Sequence, residues 1–453
     1  VIFRRALEKN LETWRRHSNR KPLILRGARQ IGKTTLIKEF AKSYSYQIVL
    51  NLEKSPDAEV FNDNMDVKSI VESLFLSANI PISAIGETLL FIDEIQESPA
   101  AIQMLRYFYE EYPRLNVIAA GSLLEFAMKR VKSFPVGRAE FLYMHPMNFI
   151  EYLEAIDHKP ALEQLNKVPV EPYAHSVLLT LFNRYAIVGG MPETVSTYLE
   201  TGSMTELPGV YEGILGTYIS DVEKYASNDT ERKIMKHIMS TAPLYVDQRI
   251  KFQNFGQSNY RSREAGEAFR NLNDAKIIRL IYPTTDADVP VKTDLRKSPR
   301  LQFLDTGLIN YRLGIQAGMI SFTDLSNSYK GAIIPHVIMQ ELISLNTIND
   351  NNPHFWVREK KQSSAEVDMV FTYRDKVIPI EIKSGKDGTL RSLHQFIELC
   401  NHPYAVRMYG GKFEILKTKT AGGKPYLLMS MPYYLGTRLP DYIAYFVDNN
   451  QLA

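Results

Sequence analysis

Gly27-Ala28-Arg29-Gln30-Ile31-Gly32-Lys33-Thr34 reads G-x-x-x-x-G-K-T, and this stretch decides the fold. Leu23-Ile24-Leu25 before it has the short apolar run of a buried strand, and Thr35–Lys42 after it reads as a helix. Strand, glycine loop and helix in that order turn backbone N–H groups toward a phosphate chain at a helix N-terminus. Residues Gly27, Ala28, Arg29, Gln30, Ile31, Gly32, Lys33, Thr34 and Thr35 are therefore expected to bind a nucleoside triphosphate. Lys33 would reach the outer phosphates, Thr34 would hold Mg²⁺, and Arg29 is a further cation near the phosphates.

Outward from the loop, Gln47–Leu52 reads as a second strand and residues 65–79 as an amphipathic helix. Leu89-Leu90-Phe91-Ile92-Asp93-Glu94 is four apolar residues followed by two acids. A parallel α/β sheet places its ligands at the C-terminal edge of its strands, where such a pair would meet the loop. Asp93 would hold Mg²⁺ through water and Glu94 would polarise the attacking water as general base. An acid pair at a strand end is common; its position 60 residues after Lys33 gives it weight and leaves room for one extra strand. Val117–Ser122 and Ala139–Met144 read as further strands. In residues 1–20, Phe3, Leu7, Leu11 and Trp14 form a helical stripe, with Arg4, Arg5, Arg15, Arg16 and Arg20 outside it as a solvated face.

This arrangement resembles the additional-strand class of P-loop ATPases, which includes the AAA+ family. The resemblance implies ATP and Mg²⁺ as cofactors and ATP hydrolysis as the activity. It implies a polar sensor at Ser122, which otherwise reads as the cap of a helix over Leu123–Arg130. It also implies an arginine finger at Arg138, following Pro135-Val136-Gly137, that would complete a neighbouring subunit's site in a homo-oligomer; a plain surface arginine is the alternative. The motifs Gly27–Thr35, Leu89–Gln96 and Ala120–Leu124, with Gly189-Gly190-Met191-Pro192, resemble a prokaryotic AAA+-type ATPase group related to archaeal-type ATPases. That group carries a C-terminal domain of poorly known function.

With 453 residues the chain has room for two to four domains. Its 45% hydrophobic and 23% charged residues are ordinary for a globular protein, and a net charge of +3 gives no global polyanion signal. The charge is uneven: residues 249–300 hold eleven Lys/Arg against six Asp/Glu, a net of +5. The single cysteine, Cys400, excludes an intramolecular disulfide and a cysteine-based zinc cluster. No apolar run reaches the length of a membrane span and the N-terminus lacks a signal-peptide pattern, so a cytoplasmic location without a membrane partner is expected.

Residues 146–225 read as a helical lid, broken by Gly189-Gly190-Met191-Pro192, with Arg184 the one candidate for a second sensor. Residues 226–315 read as helices Asp229–Thr241 and Ser262–Asn273, then strands Lys276–Tyr282 and Arg300–Leu304, an order resembling a winged helix. Arg261, Arg263 and Arg270 at the second helix, and Lys292, Arg296, Lys297 and Arg300 in the wing, could neutralise DNA phosphates; winged helices also serve as protein-packing modules.

From 316 to 453 a different chemistry appears. Glu366–Tyr373 and Val377–Ser384 read as a hairpin turning at Arg374-Asp375. Pairing at constant sum sets Asp368 opposite Glu381, with Cβ atoms roughly 5 Å apart, and puts Lys383 on the same face, toward Glu366. Two facing carboxylates call for a cation, and Mg²⁺ prefers oxygen ligands. The pattern resembles the PD-(D/E)XK nuclease fold. The resemblance implies Asp368 and Glu381 as metal ligands, Lys383 as the catalytic lysine, Glu341 on helix Ile334–Asn346 as a further acid, and Gln395 as the extra glutamine of some members. The proline that usually precedes the motif aspartate is replaced by Val367. A salt-bridged hairpin on a solvated face is the alternative. The expected class is thus α/β: a P-loop core with a parallel sheet (1–145), helical lid (146–225), winged helix (226–315) and an α/β nuclease-like domain (316–453). DNA is the expected partner, with a protein partner of a catalytically silent domain as the competing reading.

Overall fold

The computed structural model describes residues 2–61, 66–122, 124–128, 137–316, 331–360, 363–383 and 390–452. Its chain divides into two compact units. One comprises Val1–His145, Asp274–Lys276 and Asn346–Asp350; the other comprises Pro146–Asn273, Ile277–Leu345 and Asn351–Ala453.

The first unit is built on α1 (Glu8–Arg16), β1 (Leu23–Arg26), α2 (Lys33–Ala41), β2 (Tyr46–Asn51), α3 (Ser55–Glu59), α4 (Val67–Ser77), β3 (Thr88–Asp93), α5 (Pro99–Glu111), β4 (Asn116–Gly121), α6 (Leu124–Met128) and β5 (Glu140–Tyr143). The strands form one parallel sheet in the order β2-β3-β4-β1-β5. β4 stands between the loop strand β1 and the acid strand β3, which is the extra strand expected there. Every residue of β3 and β4 is buried, so both read as near-continuous apolar runs, the mark of parallel strands covered on both faces. Ile70, Leu74, Leu105 and Phe108 of α4 and α5 pack in one cluster with Leu90, Ile92, Val117 and Ala119. α5 starts where Ser98 accepts the Ala101 N–H at 3.2 Å and Pro99 takes the first helical position.

Arg5 departs from the sequence reading. It is buried, and its guanidinium donates to the Ile31 carbonyl at 2.9 Å and the His145 carbonyl at 2.6 Å. Ile31 lies in the glycine loop, so a residue expected on a solvated face instead holds that loop in place.

The second unit opens with α7 (Phe149–Ala155), α8 (Lys159–Leu165), α9 (His175–Val188), α10 (Pro192–Thr201) and α11 (Leu207–Tyr225), the all-helical stretch expected. Asn148 and Glu151 form a reciprocal capping box at the start of α7. Next come α12 (Asp229–Thr241), α13 (Ser262–Asp274), and an antiparallel pair β6 (Ile278–Ile281) and β7 (Arg300–Phe303). α14 (Thr306–Arg312) and α15 (Ile333–Ser344) lead into a six-stranded sheet.

That sheet contains β8 (His354–Lys360), β9 (Ser363–Tyr373), β10 (Lys376–Ile382), β11 (Tyr404–Tyr409), β12 (Glu414–Lys419) and β13 (Pro425–Pro432), with α16 (Arg391–Leu399) after β10 and α17 (Leu439–Asn449) at the end. Its order is β12-β13-β11-β10-β9-β8, parallel at β10–β11 and β11–β13 and antiparallel elsewhere. The β9–β10 turn sits at Arg374, whose φ of 53° closes it, and the register runs from Tyr373↔Lys376 to Met369↔Ile380. Leu393, Phe396 and Ile397 of α16 pack with Trp356, Val367 and Val377.

Residues 282–299, the expected wing, are joined to the edge strand β8. Thr284 N–H donates to the Phe355 carbonyl at 2.8 Å, and Val357 N–H donates back to the Thr284 carbonyl at 2.9 Å. The Trp356 indole donates to the Thr285 carbonyl at 3.2 Å. An open sheet edge is thereby covered.

Candidate functional site

Between β1 and α2 the backbone takes conformations that most side chains avoid. Gly27 has φ 146°, Gln30 60° and Gly32 95°. A Cβ on Gly27 would stand 2.3 Å from the Met144 carbonyl oxygen, so this position admits glycine alone. Gly32 caps α2 without a side-chain acceptor, which leaves the first N–H groups of the helix for an anion. Lys33 is buried, and its Nζ donates to the carbonyls of Gly27 at 2.9 Å and Ala28 at 2.6 Å. Burial lowers its pKa from 10.5 to about 8, against the pull of Glu94 and Asp93. Arg29 pairs with Glu53 at 2.9 Å, while Gln30 and Thr35 face outward.

The acid strand delivers its pair to this loop. Thr34 Oγ1 donates to Asp93 Oδ2 at 2.9 Å. Burial raises the pKa of Asp93 and of Glu94; the hydrogen bonds from Thr34 and Gln96 respectively work the other way. Glu94 sits in the left-handed region at φ 52°, a strained place for a non-glycine residue at the end of a strand. Gln96 Nε2 donates to its Oε2 at 2.5 Å. Gln96 lies in the motif quoted from the sequence, yet nothing in the spacing marks it as a partner of the acid. Ser122 is buried at the end of β4, and its Oγ has no hydrogen-bond partner among the described residues. A buried hydroxyl left open is costly unless a ligand or water meets it. The side chain of Arg138 is about half exposed on the unit and pairs with Glu110 at 3.0 Å; Pro135 and Val136 before it lie outside the described residues, as does Leu123. Thr34 and Asp93 present hard oxygens side by side, a donor set that fits Mg²⁺.

In the second unit the sequence expectations are met in part. Asp368 and Glu381 come together, and the Ile382 N–H donates to Asp368 Oδ2 at 2.8 Å. Lys383 Nζ meets Glu381 Oε1 at 2.5 Å. Burial, then the Asp368 charge, lifts the Glu381 pKa to about 7 against Lys383 and Arg300. Glu381 Oε2 is buried without a hydrogen-bond partner.

Three expectations need correction. Glu341 does not join these acids: it is fully buried, accepting the Tyr185 hydroxyl at 2.6 Å and the Phe149 N–H at 3.1 Å, with burial lifting its pKa to about 8. The start of α7 thus claims the carboxylate assigned to metal. Lys383 is taken by Glu381, and Glu366 is met by Arg300 instead. The wing cations are not all available: Lys297 pairs with Glu359 at 2.6 Å and Arg300 is buried among carboxylates, whereas Arg261, Arg263, Arg270, Lys292 and Arg296 are exposed.

The sequence marks Arg300 as a phosphate contact of the wing, whereas the structure surrounds it with carboxylates. Its guanidinium donates to Glu366 through Nε at 2.9 Å, to Asp368 Oδ1 at 3.2 Å, and lies 3.5 Å from Asp247. Burial opposes its charge, yet Asp247, Asp368 and Glu366 together hold its pKa above the ordinary arginine value. Among the described residues no group of three or more His, Cys, Asp and Glu is arranged to hold a metal ion. As placed here, Asp368 and Glu381 with Arg300 between strands do not fit a metal; the counter-charge comes from the chain itself.

Residues 19–153 match the family described as AAA domain. Residues 179–318 and 330–421 match two families, each described as a domain of unknown function (DUF8612 and DUF4143). No curated protein matches. Among solved structures, the Walker-type ATPase of Pyrococcus abyssi is similar at 14% identity and TM-score 0.44, covering 69% of this chain and 96% of its own. PCH-2 of C. elegans is similar at 13% identity and TM-score 0.23, covering 60% of this chain and 66% of its own. The AAA-domain match spans the phosphate loop and the acid strand, and the protein is an ATPase. Among the described residues no helix is long and apolar enough to cross a membrane.

Proposed function

We propose that the protein hydrolyses ATP in an Mg²⁺-dependent reaction and that this turnover acts on the winged-helix-like segment and the nuclease-like C-terminal domain, with DNA as the substrate class. The observation that carries the first part is the meeting of Lys33, Thr34, Asp93 and Glu94 at the C-terminal edge of one parallel sheet. The loop amides and Lys33 bind and orient the phosphates. Thr34 and Asp93 hold the metal, which when bound neutralises charge on the phosphate oxygens. Glu94 orients a water and takes its proton, once Gln96 yields the oxygen it occupies at 2.5 Å. Ser122 offers the free hydroxyl that a γ-phosphate or its water would satisfy. Arg138 supplies a cation to a neighbouring copy.

Two substitutions test this. Lys33→Ala should abolish nucleotide binding; Glu94→Gln should keep binding and lower turnover by roughly 10²–10⁴. ATP hydrolysis by Lys33→Ala at the wild-type rate would sink the reading.

A second reading has its own observation. The wing is bonded to β8, and Arg300 and Lys297 are bound to carboxylates, which suits a packing module and a catalytically silent domain that binds a protein. The exposed Arg261, Arg263 and Arg270 suit DNA. Stimulation of ATP hydrolysis by DNA separates the two: its presence supports the first, and its absence at low salt supports the second.

A further inference from the structure

Asp368 and Glu381 sit on paired strands, face one another across a hairpin and have between them one unfilled acceptor. Glu381 is 6% exposed, and its Oε2 is buried without a hydrogen-bond partner. Repulsion of this kind demands a cation. Lys383 meets Glu381 Oε1 at 2.5 Å, and the cation on Asp368 is the guanidinium of Arg300, 3.2 Å from its Oδ1. Arg300 is 5% exposed and does not reach the acids by chance: Glu366 and Asp247 also bind it, and it lies 4.7 Å over the Phe355 ring. It stands at the first position of β7, the strand that closes the segment bonded to β8.

We propose that Arg300 is an internal counter-cation that excludes divalent metal from the Asp368–Glu381 pair. This deepens the nuclease-like reading of the C-terminal domain and rests on it. The guanidinium and a metal ion compete for one oxygen. A divalent ion beside Asp368 would stand near a fixed unit positive charge, and that charge would be poorly screened in a buried site. With Arg300 withdrawn, Asp368 Oδ1 and Glu381 Oε2 are both left as hard oxygen acceptors of the type Mg²⁺ and Mn²⁺ take.

The test is Mn²⁺ binding to the nucleotide-free full-length chain, read as loss of the free-ion paramagnetic resonance signal. Wild type, Arg300→Met and Arg300→Met/Asp368→Asn are compared. Arg300→Met should bind one ion about a hundredfold more tightly than wild type, and adding Asp368→Asn should remove that ion. Arg300→Met leaves buried carboxylates uncompensated and can unfold. Asp247→Asn therefore runs in parallel: it loosens an anchor of the guanidinium without touching the proposed ligands, and should tighten Mn²⁺ by about tenfold. Wild type that already binds Mn²⁺ through Asp368 overturns the proposal. So does a folded Arg300→Met, or Asp247→Asn where that variant does not fold, that binds no better than wild type. Metal binding without DNA cleavage keeps the proposal and removes the nuclease reading. No metal in any variant removes the proposal and leaves ATP hydrolysis untouched.

Discussion

Lys33 is asked to be a cation in a place that disfavours cations. Its Nζ has left water for two backbone carbonyls, and burial brings its pKa down from 10.5 to about 8. A phosphate chain adds negative charge beside it and restores the higher value, so nucleotide binds the protonated form. The sign follows: below the free-state pKa the proton is already present and affinity is flat. Above about pH 8 binding must recover a proton, and Kd rises by up to about tenfold per unit. Calorimetric titrations in two buffers of different ionisation heat should show proton uptake near zero at about pH 7 and approaching one at about pH 9. An unchanged Kd across that range, with no proton uptake, would contradict it. Around this residue the sequence was legible where chemistry is written in adjacent positions: the glycines, Lys33, Thr34, Asp93 and Glu94. It was silent on Arg5 and Gln96. Both act through contacts that no spacing encodes, one 26 residues from its loop partner and one as an ordinary amide beside an acid.

At the scale of elements, the basic segment of residues 249–300 splits into two populations. Arg261, Arg263 and Arg270 at α13 are exposed, whereas Lys297 and Arg300 are bound to Glu359, Glu366 and Asp368. Of these two groups only the first can release counterions from DNA, alongside the exposed Lys292 and Arg296. The joint Arg261→Ala/Arg263→Ala/Arg270→Ala variant should weaken DNA binding and reduce the slope of log K against log salt by roughly 2–3. Lys297→Ala should leave that slope unchanged. Fluorescence anisotropy across a salt series measures both, and equal slopes for wild type and the triple variant would remove α13 from any DNA interface. The strands themselves were readable because parallel, doubly covered strands show as apolar runs and a tight turn fixes register. The partners of Glu341 and Arg300 were not. Each belongs to an element that reads correctly by itself, and its burial is decided by segments 192 and 66 residues away.

The whole molecule carries a feature that no local pattern announces: the ATPase unit is not one continuous stretch. Residues Asp274–Lys276 and Asn346–Asp350 belong to it. The Tyr143 N–H at the end of β5 donates to the Thr347 carbonyl at 2.8 Å, and the His145 ring meets the Asn346 carbonyl at 3.1 Å. Lys276 pairs with Asp350 at 2.5 Å and lies 3.7 Å from Glu125. β5 is an edge strand held on one side by β1 alone, so these donors and acceptors are what ties down its far end. A fragment of residues 1–145 retains Gly27–Thr34, Asp93, Glu94 and Ser122, and should still bind nucleotide. It lacks the Thr347 acceptor and the Lys276 cation, and the loss of one backbone hydrogen bond costs about 0.5–1.5 kcal/mol. The fragment should therefore unfold at lower urea than its counterpart in the full chain. The Tyr143 amide should lose its hydrogen-exchange protection while the amides of β3 and β4 keep theirs. If Tyr143 stays as protected in the fragment as in the whole protein, the two returning segments do not stabilise the unit.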